Sequence, residues 1–358
     1  MNKYFFAIFF WLIVICNNLF AQQESDFKWE LDNYARVVIT GYNGSGGAVV
    51  IPNTINGIPV TAIGDWAFTR FGFDWVYGAN LTSVIIPDSI ISIGNFAFAE
   101  NKLAGVVIPD SVTSIGEFAF SGNELTSVTF PNSIEYLGTA AFSSNRLTNI
   151  IIPKNVIEIG QAAFSGNQLS NIIIPAHVVS IGDRAFAHNQ LISIAIEYGV
   201  TTIGNYAFAD NQLTSVTIPR SVTIIGGRAF QHNRLTNIII PDSVASIFAE
   251  AFQGNQLASI YIPSSVTNIG WRAFADNRLT SITIPTSITD ISAGAFVNNQ
   301  LVNISIPSSV INIGASAFLG NPLSNVSIPF ANLQDADIAF GGSAWRSGMP
   351  IGIFVFVP

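Results

Sequence analysis

The reactive groups of this chain are three histidines, one cysteine and 22 acidic side chains. His188 and His232 occupy the same place in a 22-residue repeat, two repeats apart. Stacked strands hold such positions about 10 Å apart, whereas each imidazole of a zinc pair sits about 2.0–2.1 Å from the metal. They are therefore read as separate side chains, and His177 stands at a different position. The acids are scattered as well. Asp88, Asp110 and Asp242 share one turn position, but Lys154 and Arg220 fill it elsewhere, so no carboxylate pair of the kind that cleaves glycosides is assembled. Gly44-Ser45-Gly46-Gly47 reads as a turn, because no helix pattern follows it to make a phosphate cradle. Nucleophile elbows, Walker loops and H-E-x-x-H pairs are missing from the sequence. No catalytic residue, metal or cofactor is expected.

Two other groups of side chains are arranged for binding. Arg184, Tyr206, Arg228, Glu250 and Arg272 recur at one position on successive repeats. They form either a solvated ladder of cation–π and ion-pair contacts or a stripe that takes anions. Phe71, Phe73, Trp75 and Tyr77 alternate with smaller residues in an insertion at 69–79. Aromatic residues on a loop are typical interface anchors; the same four could instead fold back over the first coils as part of a cap.

What must position these residues is a repeat. Asn101, Asn123, Asn145 and eight further asparagines to Asn321 are spaced by 22, and Phe98 to Phe318 keep the same interval, each after an alanine. A single unit of this length cannot bury its own apolar face, so copies stack into a solenoid. Within a coil, Leu125, Val128 and Phe130 mark a short strand with alternate residues inward, which Pro131 ends. Ile134 and Leu137 follow, then Gly138 and Ala140-Ala141-Phe142, read as a tight turn and one helical turn. The expected fold is a leucine-rich-repeat type solenoid with a parallel β-sheet on one side and short strands with single helical turns on the other. The asparagines are read as an inward ladder that pairs backbone groups at each bend, and the phenylalanines as a core spine.

The expected organisation is a signal peptide at 1–21, an N-terminal β cap at 22–52, the array at 53–328, and a degenerate last repeat with a C-terminal cap at 329–358. Residues 36–52 read as two strands around a Gly/Asn turn, a hairpin over the open end of the stack. Gly352–Pro358 reads as a last strand.

The pattern N-x-L-x-x-[V/I]-x-[I/F]-P-x-x-[V/I]-x-x-[I/L]-G-x-x-A-F resembles the BspA-like leucine-rich repeat family of bacterial surface and secreted proteins. The lead-in from Ile39 through Gly44 to Pro52 is similar to that family's as well. The resemblance implies an extended interaction surface, in known members often for adhesion to host matrix proteins or to other cells. It carries over no defined site residues.

Composition agrees with an exported, non-enzymatic binding protein for a protein or glycan partner. Lys3 precedes an apolar run from Phe5 to Cys16, and Ala21 offers a small residue for cleavage; the run is shorter than the roughly 18 residues a membrane span needs. The net charge is −8, which leaves no basic footprint for nucleic acid. Charged residues make up 10% against 49% hydrophobic, so the exposed face must be built from Ser, Thr, Asn and Gln. A parallel β-helix enzyme acting on polysaccharide and a purely structural spacer are the rival readings.

Overall fold

A computed structural model describes residues 22–71, 76–329, 339–340 and 354–357. The leader expected at 1–21 lies outside them, as do Phe73, Trp75, Ser343 and Trp345. The chain is a solenoid of 22-residue coils stacked in register. Its core is one continuous cluster running from Phe27 to Phe340. In the coil that starts at Asn211, Leu213, Val216, Ile218, Val222, Ile225, Ala229 and Phe230 all point inward and are buried. Pro219 has no N–H to donate and closes the corner with its carbonyl, which accepts the Val222 N–H at 3.0 Å.

Three ladders join the coils. On the first side, strands such as Asn171–Ile174 and Ser193–Ile196 pair in parallel, in short groups rather than one sheet. On the second, two-residue strands form longer parallel sheets; one runs through eight coils from Glu158–Ile159 to Asn312–Ile313. Glycine precedes the next turn here because coils approach closely: a Cβ on Gly226 would lie 2.6 Å from Asn205 N and Gly204 C.

The third side differs from the expected helical turn. Tyr206 and Asp210 are left-handed, with φ of 56° and 54°. Two i→i+3 turns close there instead: Ala207 N–H donates to Gly204 O and Ala209 N–H to Tyr206 O, at 3.3 and 3.0 Å. Alternate N–H groups then point to the next coil: Tyr206 to Gly227 O at 2.9 Å, Phe208 to Ala229 O at 2.9 Å and Asp210 to Gln231 O at 3.0 Å. A left-handed residue every fourth position cannot continue an α-helix, and the freed donors serve the stack.

The asparagines point inward. Asn211 Oδ1 accepts the Leu191 N–H at 3.0 Å, and Nδ2 faces Phe186 O, Phe208 O and Ala209 O at 2.9 to 3.2 Å. Each amide thus ties its own coil to the one before. Beside it the phenylalanine rings stack nearly parallel from Phe68 to Phe340, with centroids 4.8 to 5.9 Å apart.

At the N-terminal end, β1 (Phe27–Leu31) pairs antiparallel with β2 (Val37–Tyr42), and β2 runs parallel to β5 (Ile58–Ile63). The hairpin expected within 36–52 does not form, because β2 and β3 (Gly47–Val50) lie on different sides of a coil, β3 pairing with β8 (Leu81–Ile85). Its Gly-rich turn is a corner, and β1 supplies the antiparallel edge. Phe27 and Tyr42 lay their rings against Phe68 at 6.4 and 5.4 Å, at the open end of the spine. A two-residue Asn56-Gly57 turn, with φ of 50° and 76°, joins β4 (Thr54–Ile55) to β5, the left-handed pair that favours this dipeptide. The insertion contributes a second hairpin, β6 (Thr69–Phe71) and β7 (Val76–Gly78). At the other end, the strand Phe354–Val357 runs parallel to Asn325–Pro329.

Replacing Asn211 by Leu leaves several buried backbone groups unpaired and is expected to cost at least about 1–3 kcal/mol. Leu at the exposed Ser215 should be close to neutral, and Phe208→Ala should cost about 3–5 kcal/mol. Urea denaturation of the three variants measures the order; equal stability of the first two would place the amide outside the core.

Candidate interaction surface

The arginine-bearing column coincides with the first left-handed position of the turn. φ is positive at Arg184, Tyr206, Arg228, Glu250 and Arg272, and equally at Trp66, Phe96, Phe118, Ala140 and Ala162. A left-handed L-residue costs about 1–2 kcal/mol, so a column of side chains where glycine would be unstrained calls for compensation. Stacking supplies it. Trp66 lies on Phe96 at 3.8 Å and Phe96 on Phe118 at 4.7 Å, both nearly parallel. Further along, Arg184 and Arg228, from the coils on either side, lie over the Tyr206 ring at 4.7 and 5.0 Å. Arg228 Nε is ion-paired with the buried Glu250. Arg272 turns away to Asp276, at 2.9 Å, and lies near the Trp271 ring. The column therefore brings Arg184, Tyr206, Arg228 and Glu250 into one ladder, with Arg184 exposed at its end.

The second left-handed position, two residues after each phenylalanine, carries a polar ladder that spacing alone did not reveal. Asp210 lies between the two histidines: His232 Nδ1 is 3.0 Å from one carboxylate oxygen and His188 Nδ1 is 3.4 Å from the other. Both imidazoles are largely solvated and Asp210 is half-buried between them, and among the described residues no group of three or more His, Cys, Asp or Glu is arranged to hold a metal ion. On the same column Asp276 accepts from Gln253, Asn298 and Arg272 at 2.8 to 2.9 Å. Partial burial alone would raise its pKa, but these hydrogen bonds and the Arg272 charge hold the carboxyl below its ordinary value.

The insertion puts Tyr77 on β7, opposite Arg70, with its side chain 54% exposed. Phe71 lies on β6; Phe73 and Trp75 fall outside the described residues. The hairpin is tied to the first corner of the chain by Arg70, whose Nη2 donates to Gly44 O at 2.8 Å.

The strand side holds a feature that the sequence reading passed over. Its outward middle position carries Val107, Ile151, Ile173, Ile239 and Tyr261, between 60% and 81% exposed. Thr129, Ala195 and Thr217 interrupt the series. The alternation of apolar residues was legible; that the outward positions were apolar too was the available signal.

Residues 69–192, 124–234, 179–302 and 223–343 match the BspA type leucine rich repeat region, overlapping without a break from 69 to 343. The chain belongs to the BspA-type leucine-rich repeat family. No curated protein matches it. Among solved structures, this BspA-type protein is similar to a leucine-rich repeat protein from Bacteroides ovatus, at 20% identity and a TM-score of 0.61, over 95% of this chain and 100% of that one. A leucine rich cell surface protein from Faecalibacterium prausnitzii has 23% identity and a TM-score of 0.54, over 94% and 98% of the two chains. At these identities the likeness is one of fold: a leucine-rich-repeat solenoid with a parallel sheet. No helix among the described residues of the BspA-type chain is long and apolar enough to cross a membrane.

Ala162, at φ 52°, makes few side-chain contacts to lose, so Ala162→Gly is expected to raise stability by up to about 1 kcal/mol. Ala163→Gly, at the neighbouring buried site, should lower it; differential scanning calorimetry separates the two. Because the Asp276 carboxyl is depressed in the fold, its contribution is present above the unfolded value near pH 4 and is lost as pH falls through the lower folded value. Asp276→Asn should flatten the acid limb of a stability–pH profile and leave the neutral region with less change on acidification.

Proposed function

We propose that this BspA-type protein is an exported, non-enzymatic repeat protein that presents an extended surface to a protein or glycan partner, with a host matrix protein as one class. The observation that carries this reading is the exposed apolar column on the strand side, from Val107 to Tyr261. Large apolar side chains recurring at one outward position are a liability in water unless a partner covers them, and a spacer would gain by replacing them with threonine. The leader-like segment at 1–21 supports export, and the surface protein of similar fold supports a place at the cell exterior. Tyr77 and the hairpin insertion that contains Phe71, Phe73 and Trp75 are proposed as a second contact region. In the arginine column the exposed Arg184 is the residue offered to a partner. Tyr206 and Arg228 hold the ladder through the contacts described above, and Arg272 is taken up by Asp276.

The test is surface plasmon resonance against a panel of matrix proteins and glycans. Ile173→Asp with Ile239→Asp, both at exposed positions, should lower affinity for the ligand found by about tenfold or more, or 1.4 kcal/mol, without changing the melting temperature. Deletion of 70–77, which restores the 22-residue period, should weaken binding in the same assay. An unaltered affinity in both variants would refute the placement, and absence of any ligand in the panel would favour the spacer.

A further inference from the structure

Every coil from Ile86 to Ile328 carries isoleucine at the position before its corner, or before its last strand residue, except one, where Phe130 stands. Phe130 fits into two coils at once. Its ring meets Phe142 edge-on at 5.0 Å and Phe164 at 6.3 Å, and the step from Phe142 to Phe164, at 5.9 Å, is the widest in the spine. A ring larger than isoleucine in a close-packed stack must displace its neighbours.

At this seam the backbone ladders part on two sides at once. Among the described residues, 281–284, in a coil that keeps Ile284, also lack main-chain bonds to the adjacent coils on the strand side, but that coil stays within the long sheet through Asp290–Ile291. The two long sheets end at this seam, one at Tyr136–Leu137 and the other beginning at Glu158–Ile159. Ser127–Thr129 pairs on one edge with Gly105–Val107 but has no strand on its other edge. Among the described residues, the main chain of 148–152 makes no hydrogen bond to either adjacent coil. The turn side stays closed, with Arg146 N–H on Leu125 O at 2.9 Å, Ala140 N–H on Gln161 O at 2.7 Å and Phe142 N–H on Ala163 O at 2.9 Å. Between the parted strands lies a cleft of about 500 Å³, within the range of ligand sites, lined by Val128, Phe130, Asn132, Asn149, Ile151 and Lys154 among others. Val128 and Phe130, whose counterparts elsewhere are mostly buried, are half-exposed to it.

We propose that this cleft is a docking slot for an extended peptide segment of a partner protein, added to the solenoid as a β-strand. Because main-chain groups alternate in direction along a strand, the N–H and C=O of Val128 and Phe130 face the cleft from one wall and those of Asn149 and Ile151 face it from the other. These are donors and acceptors at strand spacing, and a strand edge left unpaired is a template for another strand. Hydroxyl and amide side chains, among them Thr126, Ser127, Asn132 and Asn149, also line the cleft. An extended peptide is favoured over a glycan because unpaired backbone donors and acceptors recur at strand spacing on both walls, which only another strand can meet in sequence. The inference rests on the reading of the protein as a binding protein, but its site is separate from Ile173, Ile239 and the hairpin.

The experiment uses the full chain and fluorescein-labelled heptapeptides of alternating Ile or Val and Thr or Ser, followed by fluorescence anisotropy and amide hydrogen exchange. Saturable binding is expected, with exchange at 149–152 rapid in the free protein and slowed about tenfold or more by peptide. N-methylation of alternate peptide nitrogens should abolish it. Phe130→Ile should close the seam, protecting 149–152 without peptide and removing peptide binding. Asn149→Pro, which deletes a donor that pairs with no backbone group in the described residues and lies outside the outward apolar column, should weaken binding with an unchanged melting temperature. Equal binding of the N-methylated peptide, full binding by both variants, no binding to the unmodified chain, or protection of 149–152 by a glycan in place of the peptides would each overturn the proposal. Because both seam variants leave Ile173 and Ile239 in place, loss of peptide binding with matrix or glycan affinity intact separates this site from the strand-side surface.

Discussion

The carboxamide of one inward asparagine in each coil is the interaction on which the solenoid depends. A chain that turns back every 22 residues leaves backbone groups unpaired at its bends, and burying them unpaired costs about 1–3 kcal/mol each. Asparagine meets this with one acceptor and two donors on a short arm. In the middle of the stack, Asn233 accepts the Leu213 N–H and donates toward Phe208 O and Phe230 O, so it completes its own bend and binds the preceding coil in one act. The spacing of the phenylalanine spine and the three ladders follow from that attachment.

The same economy explains the turn side. Two left-handed residues per coil turn alternate N–H groups along the stack, which satisfies the bend but strains the backbone. Ring stacking at Trp66, Phe96 and Phe118, cation–π contacts around Tyr206 and the Arg228–Glu250 pair all lie at strained positions. The arginine column is thus in large part a structural device. That leaves the strand side, with its outward isoleucines and its open seam, as the region least accounted for by stability.

The seam also shows how a repeat protein acquires an individual site. Coils of identical design offer identical surfaces, and recognition requires a departure from the pattern. Here the one phenylalanine in place of isoleucine marks the coil where two ladders part together while the asparagine ladder holds, since Leu125 N–H still meets Asn145 Oδ1 at 3.1 Å. A local change in volume is converted into a gap because interiors this dense do not absorb it.

Period, inward positions, the asparagine ladder and the phenylalanine spine were legible in the sequence, because each rests on a single residue type recurring at one interval. The family was legible for the same reason. The helical turn was misread, since Ala-Phe flanked by polar residues carries no mark of left-handed backbone when tyrosine, arginine and glutamate occupy it. The hairpin expected at 36–52 failed because Gly-rich corners and hairpin turns share a composition, and only the pairing of β2 with β1 and β5 tells them apart. Asp210 between His188 and His232, the partners of each arginine, and the cleft at Phe130 were decided by tertiary structure alone. Each depends on which side chains from different coils meet across about 5 Å, and on how a ring is accommodated, which a one-dimensional period does not encode.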